Sequence, residues 1–386
     1  MIYPYSTPLG DYTLTLDSDD KSLRPWDAAD EYLLSSYQDL HSIEDSSVMI
    51  VNDSHGALTL PLTEKCALLV QDSLRAIRET RSNITGSGLT APAATSLLGL
   101  QDIHTIRHIL MKIPKSIDYF RFQLDFIARR LTVPCSISAG GMNKYLPRAF
   151  FDVFNEYCGE ASWSRIVKKA RIYSGTLTPR PSPGLPVRNE VSPPERSFPY
   201  RDNRFFSYPG TFSHGRLDSG SRFLLDYLFS SEGESRVLSA LTPGARIADP
   251  GCGCGVLGLT VLTLRPGIKA FLSDDNAMAV RGSLYNSGKL GLLESCQIVQ
   301  DNIMETVPPS TMDFVICNPP FHRGHTVSVE TGFAFIRESA RVLKKGGRAL
   351  FVVNGTLGYG TILKDNFNSI SVIRENRKYK LILCTL

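Results

Sequence analysis

At 386 residues the chain is long for one core, and the usual scale of about 100–200 residues per domain leads us to expect two domains. Its 42% hydrophobic content is ordinary for a globular protein, no run approaches the ~20 apolar residues of a membrane span, and residues 1–10 lack the basic start and apolar core of a leader, so a cytoplasmic protein with no membrane partner is expected. A net charge of +4 is too small to argue for a nucleic acid by itself, and eight cysteines without an even framework of spacings speak against a disulfide scaffold.

Pro25 opens a helix over residues 26–37, with Asp30 and Glu31 in its early turns and Tyr32, Leu33 and Leu34 as apolar surface. A strand over 48–51 runs into a loop, 52–58, whose one glycine is Gly56. A strand over 67–70 ends at Gln71 and Asp72, a helix covers 74–83, and a strand over 108–111 ends at Lys112, Ile113, Pro114 and Lys115. The first 60 residues are acidic, whereas 112–171 concentrates cations, among them Lys112, Lys115, Lys168, Lys169 and Arg171. Such a surface can anchor phosphates without reading sequence, although an ordinary solvated face carries the same residue types. The prolines from Pro179 to Pro199 keep regular structure out of a linker over 176–199, so domain one is expected over 1–175 and domain two over 200–386.

Domain two opens with a segment, 208–222, in which Asp218 or Ser219 can cap a helix over 223–229; the segment is also placed to close over a bound group. A strand from 245 then enters a turn with Gly251, Gly253 and Gly255, where the backbone can bend sharply and approach a ligand without Cβ interference. Taken alone, this turn would equally suit a dinucleotide. The strand over 269–273 ends at Asp274 and that over 296–300 ends at Asp301 and Asn302. Cys252 and Cys254 have no matching second pair or His cluster, so no metal is expected. Finally, the buried run 314–317 stops at Asn318, Pro319, Pro320 and Phe321. An amide oxygen and a fixed carbonyl can accept both hydrogens of an exocyclic NH2 while the aromatic ring stacks on the planar group that bears it. His322 and His325 read as loop residues.

The first half reads as a worn copy of the second. Ala76-Ile77-Arg78 up to Asn83 echoes Ala279-Val280-Arg281 up to Asn286, but one glycine replaces three and Lys112-Ile113-Pro114-Lys115 replaces Asn318-Pro319-Pro320-Phe321. The expected fold is α/β, with two doubly wound domains in tandem.

A glycine loop followed by an amine-gripping loop resembles S-adenosylmethionine-dependent methyltransferases of exocyclic amines. Nearly the whole chain resembles the ribosomal RNA large subunit methyltransferase G family, with small subunit methyltransferase C a step further off. The resemblance is carried by Trp26-Asp27-Ala28-Ala29-Asp30-Glu31-Tyr32-Leu33-Leu34, Asn52-Asp53-Ser54-His55-Gly56-Ala57-Leu58, Lys168-Lys169-Ala170-Arg171, Phe212-Ser213 with Leu217-Asp218, and Cys317-Asn318-Pro319-Pro320-Phe321-His322. It implies two tandem Rossmann-like class I methyltransferase domains, the N-terminal one degenerate and bound to RNA, in a monomer. It further implies S-adenosylmethionine as cofactor, with Asp249 and the glycine loop at its methionine part, Asp274 at the ribose, and Asp301 or Asn302 at the adenine. The implied reaction is methylation of a guanine N2 amine in 23S, large-subunit ribosomal RNA, with the guanine held by residues 318–321. Pro250 and Cys254 depart from the family's usual glycine loop. Adenine N6, small-subunit guanine N2 or a protein glutamine would suit the same grip; a non-catalytic RNA-binding assembly factor is the reading from another class.

Overall fold

A computed structural model describes residues 1–18, 20, 23–38, 47–180, 194, 196–320, 329–355 and 358–386. They fall into two compact units, Met1–Ser192 and Pro193–Leu386.

The first unit begins with a hairpin, β1 (Ile2–Thr7) and β2 (Gly10–Thr15), followed by α1 (Ala28–Gln38), β3 (Val48–Val51), β4 (Cys66–Val70), α2 (Leu74–Gly86), β5 (Ala93–Thr95) and β6 (His108–Lys112). It closes with α3 (Ile117–Arg130), β7 (Cys135–Met142), α4 (Arg148–Tyr157), β8 (Cys158–Trp163) and β9 (Ala170–Leu177). The second unit runs through the hairpin β10 (Arg196–Tyr200) and β11 (Asn203–Ser207), then α5 (Ser219–Leu228), α6 (Ser231–Arg236), β12 (Arg246–Pro250), α7 (Val256–Leu264), β13 (Lys269–Asp274), α8 (Ala277–Lys289) and β14 (Cys296–Gln300). After these come β15 (Met312–Cys317), α9 (Val329–Val342), β16 (Leu343–Asn354), α10 (Gly360–Asn366), β17 (Ser369–Glu375) and β18 (Tyr379–Thr385).

The two sheets have one topology. The first is ordered β5-β4-β3-β6-β7-β9-β8 and the second β14-β13-β12-β15-β16-β18-β17, each parallel except for its sixth strand, β9 or β18, which is antiparallel to both neighbours. One hydrogen-bond pattern repeats as well. Asn83 on α2 donates to the carbonyls of Thr15 and His55, and Asn286 on α8 donates to those of Phe206 and Cys254. Each amide oxygen accepts from the hairpin residue it holds, Thr15 or Phe206. The repeat is therefore a tandem copy of hairpin, helices and sheet together.

Strand β15 is central because its sequence suits nowhere else: Phe314, Val315, Ile316 and Cys317 are all essentially inaccessible. Apolar runs of this kind belong to parallel strands covered on both faces, and each large side chain so buried contributes about 1.5–3 kcal/mol. In α7 the residues from Val256 to Leu262 are all buried, so this helix lies inside the unit rather than on its surface.

Several boundaries differ from expectation. Helix α1 starts at Ala28 rather than residue 26, because Asp27 accepts from the Ala29 N–H while its own N–H donates to Asp30, a reciprocal cap. Helix α5 starts at Ser219, capped by Asp218. Regular structure also reaches into both ends of the 176–199 segment: β9 continues to Leu177, and β10 includes Pro199, paired with Arg204. A two-stranded ribbon leaves each strand an open edge, where proline's missing N–H is tolerated.

Candidate active site

At the end of β15 the chain turns outward with Asn318, Pro319 and Pro320; Phe321, His322 and His325 lie outside the described residues. The Asn318 Nδ2 donates to Asp218 Oδ2 and to Ser221 Oγ, both at 3.0 Å. A carboxylate can only accept, so the nitrogen must face Asp218 and the oxygen must face away. With both amide hydrogens engaged, Oδ1 is presented as a pure acceptor.

The orientation is fixed from beneath by α5. Asp218 Oδ2 also accepts the Gly220 and Ser221 N–H groups at 2.8 and 3.0 Å, so one oxygen both caps the helix and holds the amide. Gly220 permits the approach, since a Cβ there would lie 3.3 Å from the Tyr379 ring and 3.5 Å from Asn318 Nδ2. The Tyr379 hydroxyl meets Ser219 Oγ at 2.7 Å. Ser221 and Tyr379 were not singled out by sequence. The repeat held a signal for Ser221, because Leu217-Asp218 through Ser221 aligns with Trp26-Asp27 through Asp30.

The glycine loop lies at the end of β12, beside β15 in the sheet. Gly251, Gly253 and Gly255 all have positive φ, at 66°, 57° and 80°. A Cβ on Gly251 would press on the Phe335 ring and one on Gly255 on Leu259 and Ser283, but one on Gly253 would meet none of the described residues within 4 Å. The loop is thus packed at both ends and open above its middle. Asp249 is buried; its Oδ2 accepts from the Gly258 N–H at 2.9 Å, and its Oδ1 has no hydrogen-bond partner among the described residues. Burial pushes this carboxyl up to about 7, opposed by the Gly258 N–H and aided by the charge of Asp274.

Asp274 accepts from the Gly253 and Asn276 N–H groups, each at 2.9 Å, and burial, opposed by those bonds, raises it to about 6. Asp301 accepts from the Thr306 N–H and hydroxyl through Oδ2, and its buried Oδ1 also lacks a partner among the described residues. Asn302 gives its amide nitrogen to Glu305. The Cys254 side chain packs into the apolar core and its carbonyl is held by Asn286, so its departure from the usual residue falls on the buried side of the loop. Two buried acid oxygens without partners among the described residues, one in β12 and one just after β14 with β13 between them, fit a ligand that brings its own hydrogen-bond donors.

The corresponding loop of the first unit is filled among the described residues, where a Cβ on Gly56 would meet Thr80 at 3.5 Å. Asp53 gathers five backbone N–H groups, from His55 to Thr59, together with the Thr59 hydroxyl, closing the loop on its own carboxylate. At the end of β6 stands Lys112, whose Nζ lies 2.6 Å from Asp27 Oδ1 and 2.9 Å from Asp30 Oδ2, with its side chain only 18% exposed. This corrects the expectation that Lys112 offers its charge to phosphate, because two internal carboxylates already neutralise it. Lys115 is exposed near the Tyr145 ring, and Lys168 pairs with Glu31 at 2.8 Å. Lys168 and Lys169 form the left-handed turn before β9, and Arg171 lies over Trp163 at 4.9 Å.

Among the described residues no helix is long and apolar enough to cross a membrane, and no cluster of His, Cys, Asp or Glu could hold a metal ion. Residues 6–179 match the family described as RLMG N-terminal domain, and residues 202–383 match the Methyltransferase small domain. The chain is 30% identical to Ribosomal RNA large subunit methyltransferase G of Pseudomonas paraeruginosa, covering 98% of both chains. It is 28% identical to the protein of that name from Colwellia psychrerythraea, over 93% of this chain and 92% of the relative. A T. thermophilus 16S rRNA N2 methyltransferase, solved in complex with AdoMet and guanosine, shares the fold with a TM-score of 0.76 at 21% identity, over 100% of this chain and 98% of that one.

Proposed function

This chain belongs to the ribosomal RNA large subunit methyltransferase G family, and from that premise we propose that it methylates the exocyclic N2 amine of a guanine in large-subunit ribosomal RNA. It is an S-adenosylmethionine-dependent ribosomal RNA methyltransferase, and the base and atom are our reading of the site. The observation that carries this reading is the Asn318 amide, turned by Asp218 and Ser221 so that its oxygen faces away from them and accepts from none of the described residues.

Asn318 Oδ1 and the Pro319 carbonyl each accept one hydrogen of the substrate amine. Holding both hydrogens out of the ring plane draws the nitrogen lone pair out of conjugation and aims it toward the glycine loop. Pro319 and Pro320 fix the carbonyl's direction, since each ring locks its own φ near −65°. Asp249, Gly253, Asp274 and Asp301 are the residues that would hold S-adenosylmethionine, which when bound supplies a methyl group on an electrophilic sulfonium. No strong base is required, because the proton leaves an amine that alkylation has already made acidic. Catalysis by these residues is chiefly orientation and preset hydrogen bonding. The loop cannot reach an amine inside a helix, so the base must be unpaired or flipped out.

The test incubates the protein with labelled cofactor and protein-free ribosomal RNA from a strain lacking the gene, followed by digestion to nucleosides. Labelled N2-methylguanosine from large-subunit RNA is expected, with no label for Asn318→Ala although that variant still binds cofactor. Labelled N6-methyladenosine would keep the grip and overturn the base.

A further inference from the structure

Between β17 and β18, Asn376, Arg377 and Lys378 form a tight turn that ends on Tyr379. The Asn376 N–H donates to the Tyr379 carbonyl at 2.9 Å, and Asn376 Oδ1 accepts the backbone N–H groups of Lys378 and Tyr379, both at 2.8 Å. These bonds set the turn's shape and leave Arg377 and Lys378 exposed at its tip.

The turn is tied to the helix that holds Asn318. Lys378 Nζ lies 3.4 Å from Ser219 Oγ, the same oxygen that meets the Tyr379 hydroxyl. The Tyr379 ring stacks on Phe223, one turn further along α5, at 6.2 Å. Ser219 adjoins Asp218, whose carboxylate orients Asn318. The Lys378 ammonium is therefore held beside the helix that positions the amine-gripping residue, and Arg377 stands next to it at the exposed tip of the turn. Of the acidic groups nearby, Glu375 pairs with Lys380 at 3.5 Å, whereas Asp218 keeps its charge under the α5 cap and Asn318 and attracts Lys378, leaving Arg377 without an acidic partner among the described residues. The Tyr379 hydroxyl, and after it the charge of Asp218, hold the Lys378 ammonium above the ordinary lysine value.

We propose that Arg377 and Lys378 form a phosphate-binding turn that grips the RNA backbone next to the target nucleotide. This deepens, and rests on, the reading of Asn318 as the grip on a base amine. A base that leaves its stack forgoes a few kcal/mol of stacking and pairing, and backbone contacts supply the compensating, sequence-independent hold. A phosphate is covalently joined to the nucleotide whose base enters the site, so cations fixed at the rim bind it whenever the base is in place. Arginine adds a planar fork suited to two phosphate oxygens.

The experiment uses the full chain with the substitutions Arg377→Ala and Lys378→Ala combined, and protein-free large-subunit RNA as the probe. The KM for RNA is expected to rise about tenfold at moderate salt, and the slope of log KM against log salt to fall by about 1.4, the value for two single-strand phosphate contacts. The loss appears in KM for RNA rather than in kcat, and cofactor affinity does not change. Lys345→Ala serves as the charge control, since β16 begins at the end of the sheet opposite Asn318. An unchanged salt slope, or an effect no larger than that of Lys345→Ala, would overturn the proposal. Retention of RNA on a filter, measured without turnover, tests the turn separately, so absence of labelled product from the unaltered protein would count against the reading of the site and not against the turn.

Discussion

Asp218 and Asn318, 100 residues apart in sequence, meet in a 3.0 Å hydrogen bond from amide nitrogen to carboxylate. In the first unit Asp27 and Lys112 occupy the corresponding places, a helix-capping acid and the last position of the sheet's central strand, and Asp30 stands where Ser221 does. The difference between an active and an inactive copy is legible at these trios. An amide held by its nitrogen still offers an oxygen to a substrate amine. An ammonium held by two carboxylates has only donors, so it offers none. Repeating the fold therefore did not repeat the chemistry, and the first unit filled the vacated position with an internal ion pair.

The Asp218 contact should govern turnover more than folding. Asp218→Ser keeps a helix cap but ends short of Asn318, freeing the amide to rotate. We expect kcat to fall about 10–100-fold, corresponding to about 1.5–3 kcal/mol for a hydrogen bond to a charged partner, with cofactor affinity and melting temperature little changed. Asp218→Asn retains an oxygen acceptor and should recover most of the rate. Steady-state kinetics of the two variants decide the matter, and a wild-type kcat in Asp218→Ser would remove Asp218 from its positioning role.

How far the sequence announced these arrangements depended on whether a contact was local or distant. Strand β15, the three glycines and the acids at strand ends were visible because burial runs and turns are written in neighbouring residues. The strand-to-strand repeat was visible too, through matching punctuation along the chain. The trios were not, because each joins residues about a hundred positions apart and is defined by which atom of an amide or ammonium faces which oxygen. Lys112 illustrates the difference: a cation beside a proline loop reads as a phosphate ligand until the fold sets Asp27 and Asp30 against it. Pro199 misled for the opposite reason, since composition marks a linker but ribbon pairing depends on a partner strand.

The ion pair of the first unit should be structural. Lys112→Met leaves Asp27 and Asp30 facing each other without a cation, and we expect a loss of about 3–5 kcal/mol in that unit. Both tryptophans, Trp26 and Trp163, lie in the first unit, so urea unfolding followed by tryptophan fluorescence reports it directly. Lys112→Asn combined with Asp30→Ser rebuilds the second unit's trio and should regain at least half of the loss. Burial already holds Asp30 at about 6 against the pull of Lys112, and removing that cation raises it further. A carboxyl whose folded pKa exceeds its unfolded value binds its proton more tightly when folded, so the shortfall of Lys112→Met should be least at low pH and grow as pH rises through the folded value.

Two neighbouring glycines should separate cofactor binding from folding. At Gly255 a methyl group would stand 2.9 Å from Leu259 and 3.0 Å from Ser283, so Gly255→Ala should lower the melting temperature. At Gly253 a methyl group meets none of the described residues within 4 Å and enters the open space above the loop. Gly253→Ala should cost about 1–2 kcal/mol of left-handed backbone strain and weaken cofactor binding further than that strain explains. Calorimetric titration beside thermal melts compares the pair; equal cofactor affinities in Gly253→Ala and the unaltered protein would mean that the space above Gly253 is not used.

The acids of the second unit make cofactor binding and stability respond oppositely to pH. Burial raises Asp249 to about 7 and Asp274 to about 6, from an ordinary value of 3.8 in each case. Between about pH 4 and pH 7 these two groups hold more protons in the unliganded folded chain than in the unfolded one, so their contribution to stability is greatest at the acidic end of that window and falls as pH rises through the two folded values. Binding runs the other way, because S-adenosylmethionine brings an ammonium, a sulfonium and ribose hydroxyls, all of which favour ionised carboxylates. Its uptake should release protons at about pH 6, and its affinity should strengthen about tenfold or more from about pH 5 to about pH 8, levelling once both acids are ionised. Asp249→Asn should flatten the upper part of that profile and leave the part due to Asp274. Calorimetric titrations in buffers of differing ionisation enthalpy count the released protons, and a flat profile with no proton release in the unaltered protein would show that these carboxylates do not meet the cofactor's donors.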